Sequence, residues 1–293
     1  MLDRPRFTII VPTHNHRNLL AFSLKSIQAQ TIQDFSVEII GDGADRETAK
    51  IAKRFVKKDP RFHFYDFPKS LRTGEEYRDE LLKRVQSKYI CYLSDDDLWF
   101  PDHLETLLQI FKNADFVYTF PLMINKDNSV GVWYGNFSDP FYRKLFLYSK
   151  NKRYNFIPLS CAAHTIKSYR SLTRGWQTTP TGKHTDLHMW QVFASQKNVR
   201  IHHSWKPTIL HFASSQRSTM SVSARIIEQK YWFMRLKNDQ MLREDLVTRA
   251  MSSTYTDFLQ FRAAIQSTKT WKLHDALLRL IQRLRQKIQS DKE

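Results

Sequence analysis

The sequence predicts an α/β protein, in which a mostly parallel sheet carries helices on both faces and is followed by a helical extension. Over the first half of the chain, short apolar runs alternate with segments of helical periodicity. This alternation is typical of parallel strands that are joined by crossover helices. From residue 221 onwards the periodicity is helical throughout. We therefore assign residues 1–215 to an α/β domain and residues 216–293 to the extension.

The predicted strands are short apolar runs, and polar residues follow three of them. Strands are predicted at residues 7–11, 37–40, 62–65, 89–93, 116–124 and 207–212, and helices at residues 17–30, 46–58 and 74–86. Because the carboxyl ends of parallel strands lie at one edge of a sheet, we expect the polar clusters around Thr13, Asp42 and Asp95 to meet in space. Ligands bind at that edge in open α/β sheets.

The composition favours a cytoplasmic protein with polyanionic partners. The formal net charge is +17, which suits nucleotides, nucleic acid, anionic lipid or acidic glycans. With only two cysteines in 293 residues, no disulfide framework is predicted. No run approaches the roughly 18 apolar residues that span a bilayer, and the first residues lack the apolar core of a signal peptide.

Three carboxylates, Asp95, Asp96 and Asp97, directly follow the strand at residues 89–93. Adjacent acids repel one another unless a cation or hydrogen-bond donors compensate the charge. Carboxylate oxygens suit Mg²⁺ or Mn²⁺ held jointly with phosphates. The alternative is a solvated acidic turn that caps the next helix, and the triplet alone does not decide between the two.

Four motifs occur in a fixed order in the first 100 residues. They are Ile-Val-Pro-Thr-His-Asn at 10–15, Ser-Ile-Gln-Ala-Gln-Thr at 26–31, Ile-Ile-Gly-Asp-Gly-Ala-Asp at 39–45 and Leu-Ser-Asp-Asp-Asp-Leu-Trp at 93–99. Their order and spacing resemble the inverting GT-A glycosyltransferases of family 2 over roughly residues 5–125. The resemblance implies a GT-A fold, a nucleotide-sugar donor and a divalent metal. Neither glycine-rich phosphate loop, GxGxxG or GxxxxGK[ST], is present.

The resemblance also implies roles for residues near the nucleotide. Pro12, Thr13 and Asn15 match the Pro-Thr-x-Asn loop, which together with Asp42 would hold the base and the ribose. Residues 41–44 read Gly-Asp-Gly-Ala where the family usually has Asp-Asp-Gly-Ser. The first acid and the serine are therefore missing, which leaves open how this chain holds the base.

For the diphosphate and the metal, the resemblance implies four residues. Arg78 lies in a Glu-Tyr-Arg segment that resembles the family's Ala-Arg-Asn helix, and we expect it to contact phosphate. In the acid triplet, Asp96 ranks first as a ligand of Mg²⁺ or Mn²⁺ and Asp97 is a second ligand. Asp95 is expected to contact the ribose or the metal.

Thr185 and Asp186 stand where the resembled family has an acid that deprotonates the acceptor hydroxyl. We expect Thr185 to cap a helix over residues 187–195 and Asp186 to act as general base. The alternative is that Asp186 is only a helix-cap acid. His184, Asp186 and His188 alternate as zinc ligands on a strand would, but nothing else in the sequence supports zinc.

Two later residues are weaker candidates. His211 follows the last predicted strand, and the resemblance implies that it completes the metal site or contacts the diphosphate. A lone histidine is more often structural, so that alternative stays open. Arg217 is a second candidate for contact with phosphate.

Aromatic and basic residues are interleaved over residues 133–154. They could stack on sugar rings, stack on bases or lie at a lipid head-group interface, or most of them could form a satellite core under a long loop.

The last segment is basic and amphipathic. Residues 216–293 hold 15 Lys and Arg against 8 Asp and Glu. Between residues 273 and 288, apolar side chains form one stripe: Leu273, Leu277, Leu280, Ile281, Leu284 and Ile288. Such a helix either lies on an anionic membrane or packs against the domain or a second subunit.

From the sequence we predict an inverting transfer of a sugar from a nucleoside-diphosphate sugar, most simply a UDP-sugar, to a hydroxyl acceptor. The acceptor would be a glycan or a lipid-linked glycan in cell-surface polysaccharide biosynthesis. The alternative is a nucleic-acid-binding or catalytically inactive GT-like protein. A nucleic-acid binder has no need of three acids at a strand end, whereas metal–diphosphate chemistry does.

Overall fold

The computed structural model describes residues 4–148, 155–238 and 240–290, without a side-chain description for residues 280 and 283–290. Nine strands are β1 Phe7–Thr13, β2 Phe35–Asp42, β3 Phe62–Phe67, β4 Tyr89–Tyr92, β5 Leu98–Trp99, β6 Phe116–Ile124, β7 Val130–Val132, β8 Ala162–Thr165 and β9 Ile201–His211. The helices are α1 Asn18–Gln28, α2 Arg46–Lys58, α3 Glu75–Arg84, α4 His103–Ile110, α5 Pro140–Tyr148, α6 Ile166–Arg170, α7 Thr185–Ser195, α8 Val222–Asn238, α9 Leu242–Ser267 and α10 Lys269–Ser290.

The strands form one sheet in the order β3-β2-β1-β4-β8-β6-β9-β5, with β7 paired to β6. The first four strands are parallel to one another, and β6 is parallel to β9. Antiparallel pairing joins β4 to β8 and β8 to β6. The α/β class predicted from the alternation is confirmed.

β1 runs further than its sequence predicts. The apolar run was expected to end before Pro12, but the strand continues through Pro12 to Thr13. Pairing with β4 stops at the Ile10–Tyr92 pair, so only β2 lies beside β1 at Pro12. A proline, which has no N–H to donate, is tolerated where one side of a strand has no partner. This extension carries Thr13 to the carboxyl edge of the sheet.

The acid triplet lies in the turn between β4 and β5. Strand β4 is buried along its whole length, as are the side chains of β5. The short β5 pairs with the end of β9, which brings His211 beside the triplet. β9 begins at Ile201, six residues before the predicted strand. The prediction missed these residues because they are mostly polar or partly exposed and form no apolar run.

The aromatic segment at residues 133–154 contributes both to the core and to the surface. Phe137 and Phe146 are buried, whereas Tyr134, Phe141 and Tyr148 are exposed. Residues 149–154, which hold four of the predicted basic and aromatic positions, lie outside the described residues.

The inner part of the helical extension belongs to the packed domain. Apart from the main core, a second hydrophobic cluster packs α8 and α9 against one end of the sheet. From β5, β6, β7, β9 and the residues that follow β5 and β9, it contains Leu98, Phe100, Leu122, Ile124, Val130, Leu210 and Phe212. From α8 and α9 it contains Trp232, Leu236, Leu242, Leu246 and Ala250. The buried surface of the extension therefore reaches Ala250, well beyond residue 215.

Beyond Ala250, the described side chains of α9 and α10 are almost all exposed. They include large apolar residues: Met251, Tyr255, Phe258, Leu259, Phe261, Ile265, Trp271, Leu273, Leu277, Leu278 and Ile281. We call these two segments, residues 251–267 and 269–290, the outer helices. None of the helices in the described parts of the chain is both long enough and apolar enough to cross a bilayer.

Candidate functional site

A cavity of about 380 Å³ opens at the carboxyl edge of the sheet. Its walls come from the ends of β1, β2 and β4, from the loop between β3 and α3, and from the start of α7. Thr13, Asp42 and Asp95 all line it. The three polar clusters that the sequence predicts at one edge are therefore brought together.

Asp95 is held by β1 and by the loop that follows it. Thr13 Oγ1 donates a hydrogen bond to Asp95 Oδ2 (2.5 Å), and His16 Nδ1 lies 2.6 Å from Asp95 Oδ1. Burial alone would lower the pKa of His16, but the adjacent Asp95 carboxylate outweighs it and raises the pKa to about 9. At neutral pH the imidazole is thus charged and donates to Asp95.

Asp97 points away from the cavity. Its carboxylate accepts from Ser160 Oγ (2.5 Å) and from the Phe212 backbone N–H (3.0 Å), and both of its oxygens lie 2.9 Å from His211 Nδ1. Burial acts to lower the pKa of His211, and Asp97 more than compensates. Asp97 and His211, the predicted second and third metal ligands, form an ion pair in which Asp97 is fully buried and His211 is 17% exposed, and neither residue lines the cavity.

Asp96 does line the cavity. Its Oδ2 accepts from Ser214 Oγ (2.6 Å) and from Arg225 Nη2 (2.9 Å). Burial raises its pKa, and the neighbouring charges of Asp97 and Asp95 raise it further.

One group with the composition of a metal site lies on this wall. Ligand atoms of His16, Asp95 and Asp96 lie within 4.8 Å of one another. Two carboxylates that face a cavity suit Mg²⁺ or Mn²⁺. Because His16 Nδ1 already bonds to Asp95 Oδ1, the two carboxylates are the ligands that fit best, and His16 orients one of them.

Asp42 is fixed by the loop after β3. Lys69 Nζ donates to Asp42 Oδ2 (2.6 Å), while the Ser70 backbone N–H (2.6 Å) and Ser70 Oγ (3.1 Å) donate to its two oxygens. Gly74 then turns the chain into α3 with φ 73°, and a Cβ there would lie 3.3 Å from Asp42 Cβ. The tight approach places the first turn of α3 against the cavity.

Arg78, on that first turn, lines the cavity with unused donors. Its Nη2 donates to the Thr73 carbonyl (2.7 Å) and the guanidinium lies 4.7 Å from the Trp176 ring centre. The residue is only 3% exposed, and its Nε and Nη1 have no hydrogen-bond partner. Burial lowers the pKa of Arg78, and Glu75 partly offsets this. Unpaired buried donors of a charged group are costly, so this arrangement calls for an anionic ligand.

Glu75 connects the loop before α3 to the start of α7. Its carboxylate accepts from the Thr73 backbone N–H (2.9 Å), the Thr179 backbone N–H (3.4 Å) and Thr185 Oγ1 (3.2 Å). Arg72 reinforces the connection by donating to three backbone carbonyls between residues 179 and 183. The phosphate side of the cavity and the start of α7 are thereby held in one framework.

Asp186 is half-buried and lines the cavity in the first turn of α7. The predicted cap is wrong, because α7 begins at Thr185, whose hydroxyl bonds to Glu75, and the preceding His184 makes no side-chain cap bond. Asp186 Oδ1 accepts from the Leu187 backbone N–H (2.9 Å). Among the described residues its second oxygen accepts no hydrogen bond, which leaves it available to a bound hydroxyl group. The alternation of His184 and His188 around it lies on a helix, where it brings no zinc ligands together.

Besides Asp97 and His211, two further predicted residues lie outside the cavity wall. Asn15 is exposed, and its Oδ1 accepts from the Asp45 backbone N–H (2.9 Å). Arg217 is 2% exposed and donates to Glu228 Oε2 (2.7 Å), Glu228 Oε1 (2.6 Å) and the Ile124 carbonyl (2.9 Å). Its guanidinium is used to fix α8 to β6, which leaves little capacity for phosphate.

Sequence reasoning missed several residues of the site. His16 was visible in the Thr-His-Asn-His segment, and Lys69 and Arg72 lie in a loop with no motif of its own. Arg225 reaches Asp96 across 129 positions of the chain. No local pattern predicts such a contact.

A family model described as Glycosyl transferase family 2 matches residues 8–172 of this 293-residue chain. The chain belongs to glycosyl transferase family 2. The matched residues contain every predicted motif of the first 100 positions, so the predicted family is confirmed.

Curated relatives of this family 2 chain match it over part of its length. An uncharacterized glycosyltransferase of Rickettsia bellii is 31% identical over 119 residues, which are 41% of this chain and 17% of the relative. The GalNAc(5)-diNAcBac-PP-undecaprenol beta-1,3-glucosyltransferase of Campylobacter jejuni is 27% identical over 105 residues, 36% of this chain and 34% of the relative. The chain thus spans less than half the length of these curated relatives.

Solved structures of glycosyltransferases share the fold. The mannosyltransferase PcManGT of Pyrobaculum calidifontis, solved with GDP-Man and Mn²⁺, has a TM-score of 0.52 at 14% identity, covering 93% of this chain and 83% of that one. TarS of S. aureus has a TM-score of 0.53 at 14% identity, covering 84% and 43%. The predicted GT-A fold is confirmed by this likeness.

Proposed function

We propose that this family 2 protein transfers a sugar from a nucleoside-diphosphate sugar to a hydroxyl group, with inversion at the sugar carbon. The observation that carries the proposal is the pairing of opposite charges across one cavity. Arg78 presents unpaired buried donors, and Asp95 and Asp96 present carboxylates on the same lining. Such a cavity fits a diphosphate with a divalent cation.

Asp95 and Asp96 would hold Mg²⁺ or Mn²⁺, which supplies positive charge to the diphosphate as it leaves. Arg78 would bind the diphosphate through its guanidinium. Asp42, held by Lys69 and Ser70, is placed to accept from a ribose or base at the far end of the cavity. PcManGT was solved with GDP-Man, and a fragment of TarS was solved with UDP-GlcNAc. Of these two donor classes we propose a UDP-sugar for this chain.

Asp186 would take the proton of the acceptor hydroxyl. It lies on the same cavity as Arg78, and the Glu75 connection fixes the two residues relative to each other. Inversion requires the acceptor to approach opposite the leaving diphosphate, so the base and the phosphate site must occupy different walls of one cavity.

For the acceptor, we propose a growing cell-surface glycan that is linked to a lipid. Two relatives support this acceptor. The Campylobacter enzyme is described as a GalNAc(5)-diNAcBac-PP-undecaprenol beta-1,3-glucosyltransferase. A Bacillus subtilis relative, 25% identical over 117 residues, is described as a putative teichuronic acid biosynthesis glycosyltransferase. The carboxylates on the cavity lining, such as Asp95 and Asp96, would repel the phosphates of a nucleic acid, so we do not propose nucleic acid as the partner.

We further propose that the outer helices dock on the anionic inner face of the cell membrane. Between residues 251 and 290 the sequence has seven Lys and Arg and two Asp. Exposed apolar residues lie beside this positive charge. A basic amphipathic surface binds anionic lipid through both features, with about 1 kcal/mol for each basic residue near the surface.

A thermal-shift panel tests the transfer function. UDP, GDP, UDP-sugars and GDP-mannose are each added with and without Mn²⁺. We expect one nucleotide to raise the melting temperature only with the metal, because a ligand at 100 times its Kd stabilises the fold by about 2.7 kcal/mol. No response to any nucleotide, together with salt-sensitive binding of mixed RNA or DNA, would contradict the proposal.

A further inference from the structure

The helical extension contributes a positive charge that lies directly behind the cavity wall. Arg225 of α8 donates from Nη2 to Asp96 Oδ2 over 2.9 Å. The two side chains are 13% and 9% exposed, so the ion pair is largely shielded from water. Asp96 is the carboxylate to which we assign the metal, and Arg225 occupies its ligand oxygen.

Among the three acids, Asp96 is the one whose charged hydrogen-bond partner is an arginine, Arg225. Asp95 has the His16 imidazolium, and Asp97 has His211. Ser214, the other partner of Asp96, is neutral. A buried carboxylate between two others is strongly disfavoured without a cation. Arg225 therefore supplies the charge that a divalent ion would supply.

Once a metal binds Asp96, the Arg225 guanidinium needs another anion. Glu228, one turn further along α8, already accepts from Arg217 with both oxygens. A small cavity between α8 and Asp96 contains no other carboxylate on its lining. Arg225 itself does not line the main cavity, but it lies 2.9 Å from Asp96 Oδ2, and Asp96 does line it, so a diphosphate held by a cation on Asp96 would lie next to the guanidinium. The anion within reach is therefore the diphosphate of a bound donor.

We propose that Arg225 is a resident counter-ion of the donor site. It neutralises Asp96 while the site is empty, and it turns to the donor diphosphate when a divalent cation takes its place on Asp96. Guanidinium pairs well with phosphate oxygens. The proposal rests on the proposed function, and it makes Arg225 a positioning residue that comes from outside the region matched by the family.

This role has two consequences of opposite sign. Without nucleotide, Arg225 competes with the divalent cation for Asp96, so its removal strengthens metal binding. With nucleotide, Arg225 holds the diphosphate, so its removal weakens binding of the metal–nucleotide complex. A residue that only stabilises the fold would change both affinities in the same direction or neither.

The experiment compares the full-length protein with Arg225→Gln, Arg225→Lys and a control, Lys230→Gln, an exposed cation on the same helix. Mn²⁺ binding is titrated without nucleotide by the loss of the free-ion electron paramagnetic resonance signal. UDP, GDP and the phosphate-free nucleosides are then titrated calorimetrically at saturating Mn²⁺. Circular dichroism melts check that each variant is folded.

For Arg225→Gln we expect Mn²⁺ alone to bind about 10-fold more tightly and the diphosphate about 10-fold more weakly, which corresponds to about 1.4 kcal/mol in each direction. Arg225→Lys should restore most of both affinities, and Lys230→Gln and the nucleosides should show no change. Unchanged or weaker Mn²⁺ binding in Arg225→Gln overturns the proposal. The metal titration uses no nucleotide, so failure of the proposed donor chemistry would show separately, as absence of UDP and GDP binding to the unsubstituted protein.

Discussion

The cavity wall and the outer helices use their side chains in opposite ways. In the wall, the carboxylates are buried and each is held by a basic side chain, as in the Asp95–His16 and Asp42–Lys69 pairs. In the outer helices, large apolar side chains such as Leu273 are exposed, at 74%. The wall is therefore organised before any ligand arrives, whereas the outer helices present a surface that a partner must complete.

The largest effect is expected on the rate of sugar transfer, when the proposed general base of the cavity wall is replaced. Asp186→Asn keeps the shape of the side chain but removes its basicity, so we expect sugar transfer to fall by a factor of about 10²–10⁴. Donor binding and the melting temperature should stay unchanged, because Asp186 makes no bond to the phosphate side of the cavity. Single-turnover transfer assays and UDP titration measure the two. Transfer at the unsubstituted rate would show that another acid is the base.

The proposed metal site at Asp95 and Asp96 is tested by the substitution Asp96→Asn. The substitution removes the charge that a cation needs, and loss of even an outer partner of a metal ligand costs about 10–100-fold in affinity. We expect Mn²⁺-dependent UDP affinity to fall by at least about 100-fold. Ser138→Asn, an exposed change far from the cavity lining, is the control. Equal UDP affinity in the Asp96 variant would remove the acid triplet from the mechanism.

Two tryptophans of the helical extension separate its packed part from its exposed part. Trp232 is 1% exposed in the second hydrophobic cluster, and Trp271 is 40% exposed on α10. Trp232→Ala should cost about 3–5 kcal/mol of unfolding free energy, and Trp271→Ala should lie within about 0.5 kcal/mol of zero. Urea unfolding followed by circular dichroism measures both. Similar losses of unfolding free energy in the two variants would show that α10 is packed as firmly as α8.

Acid should weaken the packed domain through two buried histidines. Burial lowers the pKa of both His103 and His164 to about 3, whereas the unfolded chain takes up protons near pH 6.5. Stability from these neutral histidines is present above pH 6.5 and is lost as the pH falls towards 3, by about 1.4 kcal/mol per pH unit for each. Unfolding at pH 7, 6 and 5 should show a smaller slope in His103→Gln. His274→Gln, exposed on α10, should leave the slope as it is.

The smallest effect on stability is expected from truncation after Thr268. The described side chains of α10 are almost all exposed, so the melting temperature should hold within about 2 °C. Co-sedimentation with anionic liposomes at low salt should fall, and high salt should weaken binding of the full chain. A lower melting temperature without any liposome binding would show that α10 packs on the protein. A change in oligomeric state on truncation would instead identify a second copy as the partner.

The sequence predicts the first half of the fold closely because its periodicities are local. α2 lies where its pattern places it, and β6 matches residue for residue. Elements with mixed burial were missed or shortened, such as β9, whose first residues are polar. Strand pairing by β8 and β7 depends on contacts far along the chain, which no short window of sequence contains.

The site shows the same division. Strand-end residues such as Thr13, Asp42 and Asp95 could be placed from the rule that parallel strands end at one edge. The orientations of three adjacent acids could not, because they depend on distant partners: His16 for Asp95, Arg225 for Asp96 and His211 for Asp97. A sequence motif therefore predicts which residues lie near the cavity. Whether each side chain faces the cavity depends on hydrogen-bond partners that lie elsewhere in the chain.

The second hydrophobic cluster decides where this protein can be cut. A fragment that ends at residue 215 would uncover Leu98, Phe212 and their neighbours and would leave Asp96 without its arginine. Such a fragment should aggregate on expression, although it would contain every recognised motif. We expect the shortest fragment that folds on its own to continue through Ala250. A set of expression fragments whose ends follow the sequence motifs would not include that fragment.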